Sequence, residues 1–334
     1  MVMASATEQI PAISVVLPFR NASRWLNRTL ASLASECNLP WELVAVNDGS
    51  TDNSSQIVEA MCQHWTKQSV QLLHTSGIGV SAARNHAAKA ARAPFLAFLD
   101  ADDRAIAGRL RAPLQRLQAD PGLSHVMGGW QRIDAAGQPL QTVQPWQEGA
   151  SFDLVGALTH KSVLPSSWTI RRSCFLALGG FNTNLAHAED VDLLLRLAAS
   201  GRRGAWIEQP LCRYRVHPDA ASQQLQGQIE GLQTVIERHL EPLQQRWSRW
   251  ADGIRYGTST WCSWKAWIHG ESALALELLA QARHHCPMPL PRRPVHFFEH
   301  LARSCRREGL PFDRQAVLAS PFWQQAKQLL LSTP

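Results

Sequence analysis

Four short apolar runs, alternating with helical patterns, fill the first hundred residues and constrain the fold more than any other feature. ISVVLPF at 13–19 is short, β-branched and apolar, as a buried strand is. Residues 21–36 then place Trp25, Leu26, Leu30 and Leu33 on one helical face. WELVAV at 41–46 is a second strand, ending at Asn47-Asp48-Gly49-Ser50. Thr51 or Asp52 can cap the next helix, which turns Ile57, Val58 and Met61 inward. Residues 70–74 give a third strand. A loop with Gly77 and Gly79 and an alanine-rich helix over 81–91 lead into a fourth strand at 95–99. This alternation predicts a doubly wound, mostly parallel α/β sheet with flanking helices. Ligands in such sheets bind beyond the carboxyl ends of the strands, where Asp48 and Asp100 both fall.

Beyond Arg109 the pattern loosens. The sequence predicts a short helix over 109–118, stopped by Asp120-Pro121-Gly122, then a strand-like run over 124–134 and a turn at 134–137. A long polar connection containing proline and glycine follows. Helical periodicity returns over 189–199, and 205–216 suits a strand or extended chain. From about residue 223 the chain is helical and different in character. Trp247, Trp250, Trp261, Trp264 and Trp267 stand there at spacings of three around a loop. We therefore expect an α/β domain over 1–222 and a mainly helical, Trp-rich C-terminal region over 223–334. A chain of 334 residues has room for both.

Charge and cysteine content narrow the partners. Lys and Arg total 33 against 27 Asp and Glu, a net charge of +6. That favours nucleotide phosphates or an acidic membrane surface, is also what a solvated surface gives, and is no nucleic-acid signature. The seven cysteines, at 37, 62, 174, 212, 262, 286 and 305, are odd in number and widely spaced, without a CxxC pair. They fit reduced thiols in a cytosolic compartment. The first residues lack a basic start and a long apolar run, so no secretory signal is expected. No run of about 18 apolar residues occurs, so no transmembrane segment is expected either.

Four features bear chemistry, and each also has a plain structural explanation. In FLAFLDADD, Asp100 and Asp102 lie two apart at a strand end and can face one point. Hard divalent ions such as Mg²⁺ or Mn²⁺ take one or two such carboxylates and fill the shell with phosphate oxygens; an acidic turn capping a helix would look the same. An EF-hand is excluded, because the sixth and twelfth positions are Ala105 and Arg111. Asp48 in VNDGSTD can accept a hydrogen bond from a nucleobase or simply serve a tight turn. Glu189-Asp190, with Asp192 behind, suits the first turn of a helix through its dipole, which would also keep a general base ionised. His217 in YRVHP is a candidate metal or phosphate contact beside such carboxylates, and otherwise a structural or exposed histidine.

These segments occur together and in one order: SVVLPFRNASRWLNRTLASL, WELVAVNDGSTDNS, ARNHAAKAARAPFLAFLDADD, GGFNTNLAHAEDVDLLLRL and YRVHP. The set resembles the family 2 glycosyltransferases, nucleotide-sugar enzymes of the GT-A fold, over residues 12–220. The resemblance implies an inverting transferase. Pro18 and Phe19 end the first strand beside the nucleotide. Asp48 matches the base-binding aspartate, and Arg84 and Asn85 match a segment near the nucleotide. Asp100 and Asp102 match the D-x-D, with Asp102 the main ligand of Mn²⁺ or Mg²⁺ and His217 a further one. Asp190 matches the catalytic base. Asn47 stands where many members have an aspartate, and Asn182 where GGFD is commoner.

The resemblance also implies a nucleotide-sugar donor, with UDP the commonest nucleotide, and a glycan or lipid-linked acceptor. The usual setting is surface polysaccharide or glycoconjugate synthesis in the cytoplasm, with peripheral attachment to the inner face of the membrane left open. Two rivals remain. One is a binding protein on this scaffold without turnover, against which the presence of all three carboxylates speaks. The other is a nucleotidyltransferase, but LPFRNASRW lacks the glycine-rich phosphate loop expected after the first strand. The tryptophans of the C-terminal region suit a helical core, a sugar-stacking acceptor platform, or a surface for membrane or protein, the last aided by Arg246, Arg249, Arg292, Arg293, Arg306 and Arg307.

Overall fold

Four strands, β1 (Ile13–Phe19), β2 (Trp41–Asp48), β3 (Ser69–Thr75) and β4 (Phe95–Phe98), form the parallel half of one nine-stranded sheet. They are joined by α1 (Ser23–Ser32), α2 (Ser54–His64) and α3 (Val80–Ala90). The structure is a computed structural model that describes residues 10–36, 38–65, 68–308 and 310–333. The first nine residues and Cys37 lie outside these, as do the side chains of Cys62 and Arg307.

Strand alternation divides the core in two. Val16, Val44, Val46, Leu96 and Phe98 pack on one face with the alanines of α3. Val15, Leu17, Leu43, Ala45 and Ala97 pack on the other with Leu26 and Leu30 of α1. Both faces are covered, which is why these strands are almost continuously apolar in sequence.

Beyond β4 the sheet acquires antiparallel neighbours. The chain continues through β5 (Arg104–Ala105), α4 (Arg111–Ala119), β6 (Leu123–Ile133), β7 (Pro139–Val143), α5 (Leu154–His160), β8 (Trp168–Arg171), α6 (Arg172–Ala177), α7 (Glu189–Ala199) and β9 (Arg203–Arg215). The strand order is β3-β2-β1-β4-β8-β6-β9-β5, with β7 paired to β6. The polar connection expected after residue 137 is thus structured, and β8 within it is central, antiparallel to both β4 and β6. Four residues carry no readable period, and their pairing is long-range. Arg109, buried, donates to the carbonyls of Phe98, Ser166 and Trp168 and to Thr169 Oγ1, fastening the end of β4 to β8.

Glu42, on β2, is a buried carboxylate with a full set of donors. It accepts from the Ser14 hydroxyl at 2.6 Å, the Arg92 amide at 2.6 Å and Arg92 Nε at 2.9 Å. Burial pushes its pKa up, but these hydrogen bonds and the Arg92 charge outweigh burial and hold it below the ordinary range. A depressed folded pKa means that the ionised group stabilises the fold above the ordinary carboxylate range. That contribution is lost as pH falls through the folded value. Glu42→Gln is therefore expected to cost about 1–3 kcal/mol at neutral pH, with a smaller deficit near pH ~3. Urea unfolding at both pH values checks it; an equal deficit at both would discount the ionised carboxylate.

The C-terminal part is helical: α8 (Leu225–Leu240), α9 (Gln244–Ile268), α10 (Ser272–Ala282), α11 (Arg293–Glu308), α12 (Arg314–Ala319) and α13 (Pro321–Leu331). The loop expected between Trp250 and Trp261 is instead continuous helix, with non-helical backbone only at Trp247. Packing overrides the poor helix propensity of Gly253, Gly257 and the Thr-Ser-Thr run after it, most of which is buried. Trp264 is buried against Trp267 at 4.8 Å, and Trp267 stacks on Phe322 at 5.3 Å, whereas Trp247 is exposed. Position 222/223 falls between β9 and α8. That helix joins both cores, through Val235, Ile236 and Leu240 on one side and Ile229 on the other. Cys174, Cys212, Cys262 and Cys305 are buried, and Cys286 is half-buried. Among the described residues, no helix is long and apolar enough to cross a membrane.

Candidate active site

The carboxyl ends of β1, β2 and β4 open into one cavity of about 1010 Å³. Ligand sites run to roughly 300–1,000 Å³, so it can hold a large ligand or two smaller ones. Pro18, Phe19, Asp48, Arg84, Asp100, Asp102, Asp190 and His217 all line it.

The DADD loop is tied to the end of β9. The Arg215 amide donates to Asp103 Oδ1 at 2.9 Å, and Arg215 Nε donates to the Asp102 carbonyl at 2.9 Å. This clamp brings YRVHP to the loop, so that His217 Nε2 lies 3.0 Å from Asp102 Oδ2. The Trp25 ring packs on the His217 ring at 5.2 Å, with the guanidiniums of Arg24 and Arg215 at 4.4 and 4.5 Å from the Trp25 centroid.

This donor set fits a shared divalent ion. Two adjacent ligands of an octahedral ion with bonds of about 2.1 Å stand about 3 Å apart, as the Asp102 and His217 atoms do. Asp102 is 30% exposed, so the remaining positions are open to a ligand. Among the described residues no group of three or more His, Cys, Asp or Glu is placed to hold a metal. Asp100 Oδ1 is engaged by Arg84 at 2.6 Å.

Arg84 links the two halves of the site. Only 4% exposed, it reaches Asp100 Oδ1 at 2.6 Å and Glu189 Oε1 at 2.7 Å. It thereby joins the end of β4 to the start of α7. Burial raises the Asp100 pKa; Arg84 opposes this and Asp102 adds to it, and the net shift is upward.

Next to Glu189, burial and then the Glu189 charge raise the Asp190 pKa to about 7. One Asp190 oxygen accepts from the Val191 amide at 2.8 Å. A carboxylate poised near neutrality is what general-base chemistry asks for.

Asp48 is more occupied than the sequence suggests. It accepts from Thr75 Oγ1 at 2.7 Å and from the amides of Ile78 and Gly79 at 2.7 and 2.8 Å. Burial raises its pKa, and these hydrogen bonds outweigh burial to lower it. A carboxylate has about four acceptor positions, so roughly one remains for a ligand.

Asn85 does not line the cavity. Its amide donates to the Phe181 carbonyl and accepts from the Phe181 amide, both at 2.8 Å. It thus pins the Gly179-Gly180-Phe181 turn that leads to α7. Gly180 has φ +72, and a Cβ there would lie 2.3 Å from Asn85 Oδ1, so only glycine fits.

Among the described residues, three non-glycine residues have positive φ: Asn21, Lys161 and Ala188. All three line the cavity. Lys161 is the left-handed C-cap of α5, and Ala188 the residue just before Glu189 at the start of α7. Sequence reasoning missed Arg24, Arg132 and Lys161 as cavity residues. Arg24 follows the first strand and could have been found there. Arg132 and Lys161 sit in no motif.

With the geometry in hand, comparison with known proteins is direct. The pattern of "Glycosyl transferase family 2" matches residues 14–175, which span β1 to α6. The chain carries a glycosyl transferase family 2 domain. EpsH of Bacillus subtilis (strain 168), which bears a glycosyltransferase name, is 26% identical over 231 residues, 66% of this chain and 65% of EpsH. The match thus covers less than two thirds of EpsH's length. S. aureus TarS 1–349, solved with UDP-GlcNAc, superposes with a TM-score of 0.59 at 17% identity, over 90% of this chain and 93% of that TarS fragment. The mannosyltransferase PcManGT of Pyrobaculum calidifontis, solved with GDP-Man and Mn²⁺, also gives 0.59 at 17% identity, over 97% and 86%. These likenesses establish the GT-A-type fold with its helical C-terminal part, as the sequence led us to expect.

Proposed function

We propose that this family 2 protein transfers a sugar from a nucleotide-sugar to an acceptor hydroxyl, inverting the anomeric carbon. The observation that carries the reading is the cavity itself. It holds Asp190, with a pKa raised to about 7, and the Asp102–His217 pair, and buried Arg84 fixes one side relative to the other. Asp190 takes the proton of the attacking hydroxyl. Asp48, Pro18 and Phe19 receive the nucleoside end. Asp102 and His217, with Asp100 behind them, hold Mn²⁺ or Mg²⁺, which when bound offsets charge growing on the leaving diphosphate. Asn85 acts at one remove, by fixing the turn before α7.

Residues 1–222 are assigned to donor chemistry and 223–334 to acceptor choice. UDP-hexose is the first donor to test, and PcManGT's GDP-Man makes GDP the next. Surface polysaccharide or glycoconjugate synthesis suits the net charge of +6, which favours contact with acidic membrane surfaces.

The test is calorimetric titration with UDP, GDP and dTDP, with and without Mn²⁺. One nucleotide is expected to bind in a metal-dependent way. Asp102→Ala should weaken that binding by about tenfold or more, a loss of ~1.4 kcal/mol or more, while Asp190→Asn leaves it intact. No binding of any nucleotide under any condition would sink the reading and leave a scaffold without turnover.

A further inference from the structure

The segment that carries Asp190 is held from outside the α/β sheet, by α8. In that helix Gly227, Gly231, Val235 and His239 recur at intervals of four and form one ridge. The ridge runs along the turn before α7 and then along α7 itself.

At its first two positions the ridge carries no side chain, and His187 fills the space. A Cβ at Gly227 would lie 2.3 Å from His187 Nε2 and 2.4 Å from its Cδ2. A Cβ at Gly231 would lie 2.9 Å from both the His187 Cβ and the His187 carbonyl oxygen. The two contacts differ in kind. The first meets the end of a side chain that can swing aside, and the second meets main chain. Glycine weakens a helix interior, and close approach to His187 is what both positions require it for. Next to Gly227, Gln228 Nε2 donates to His187 Nδ1 at 3.1 Å.

Further along, the ridge closes on α7. Val235 is buried in the same core as Val191, Leu194 and Leu195. His239 Nε2 and Arg238 Nη1 each lie 3.6 Å from Asp192 Oδ1. Asp192 is buried, and Arg196 Nε meets its other oxygen at 2.8 Å. Burial raises the Asp192 pKa; His239 and Arg196 outweigh burial and hold it below the ordinary range.

α8 therefore grips the chain on both sides of Asp190, at His187 and at Asp192. Between His187 and Asp190 stand only Ala188, with φ +60, and Glu189. So short a link passes a shift of His187 on to Asp190.

We propose that His187 is the positioning residue of the base: wedged against Gly227 and Gly231 of α8, it sets where Asp190 stands in the cavity. The helical region thereby has a part in the chemistry besides the choice of acceptor. The proposal deepens the reading of Asp190 as the base and rests on it.

The experiment follows nucleoside diphosphate release to water by the full chain with Mn²⁺. UDP-glucose, UDP-GlcNAc and GDP-mannose are tried, and the donor that the wild type turns over fastest is used. Water takes the acceptor's place: its oxygen bonds to the anomeric carbon, the bond to the diphosphate breaks, and Asp190 takes the proton. His187→Ala and Gly231→Ala are each expected to lower kcat by about tenfold or more, because a misplaced base loses its advantage. Donor KM should stay within about twofold. The double variant should fall no more than about twofold below the weaker single one, since both changes break one contact. His187→Asn can accept from Gln228 through Oδ1 and should come back to within about threefold of wild type.

The pH profile separates positioning from loss of fold. Burial and then Glu189 raise the Asp190 pKa to about 7, while Arg84 opposes them. A loosened turn exposes the carboxyl, so the midpoint of kcat/KM should move below that of the wild type in both variants. Thr234→Ala, on the exposed side of α8, should leave rate and midpoint unchanged. His187→Ala only removes atoms, and it decides the matter if Gly231→Ala does not fold.

Rates within about threefold of wild type overturn the proposal. So does a loss of rate with an unmoved midpoint, or one that only follows a loss of donor affinity. Absence of wild-type turnover with every donor would instead overturn the transferase reading, and full turnover in Asp190→Asn the base assignment.

Discussion

Asp190→Asn is expected to lower kcat by about two to four orders of magnitude, the range that a positioned general base supplies. Nucleoside diphosphate release from the nucleotide-sugar, with acceptor present, measures it. Nucleotide binding should be unchanged, because the amide keeps the shape of the carboxylate.

The pH profile adds a second readout. Only ionised Asp190 can accept the proton, and its pKa is raised to about 7 by burial and then by Glu189. The wild-type kcat/KM should therefore rise with pH up to about 7 and level off above it. Stability should move the other way. A folded pKa above the unfolded one means stability that is full below the ordinary carboxylate range and is lost as pH rises through about 7. Asn does not titrate, so the variant's Tm advantage over wild type should grow across that window and then hold. An inactive variant that is also less stable at pH ~8 would indicate misfolding. Retention of kcat within about tenfold would assign the base elsewhere.

What the sequence disclosed, and what it withheld, follows from the range of the interactions. The first four strands and α7 were legible because their signals are local. The strands are apolar on both faces, and Glu189–Ala199 combines an acidic first turn with clear helical spacing. β8 was not legible, since its four residues become a central strand only through β4 and β6. α9 was read as interrupted because glycine and hydroxyl residues argue locally against a helix that tertiary packing restores. The same split runs through the site. Each acidic motif could be found by itself, but which side chains meet could not. His217 and Asp102 are 115 residues apart, and Arg84 and Glu189 are 105 apart. Arg84 was expected near the nucleotide; the structure shows what it does there, which is to span two carboxylates.

That bridge supports the other large prediction. Arg84→Met is expected to destabilise the fold by about 3–5 kcal/mol, because it leaves partly buried carboxylates without their cation. The loss should exceed that of any exposed ion pair here, since Arg84 is 4% exposed and its partners are 26% and 14% exposed. Arg84→Lys should recover little, because one ammonium cannot reproduce a planar fork that reaches two carboxylates at 2.6 and 2.7 Å.

The deficit should also depend on pH. Arg84 is the cation that opposes the burial-driven rise of the Asp100 pKa. Without it that pKa rises further, protonation relieves the unpaired charge, and the deficit shrinks as pH falls. Adding Glu189→Gln to Arg84→Met should restore part of the stability, by removing one unpaired charge. It should not restore transfer, because the tie between the end of β4 and the start of α7 is still missing. Urea unfolding beside turnover assays separates the two effects. If Arg84→Met keeps both its stability and its turnover, the bridge does not set the distance between the metal-binding side and the base.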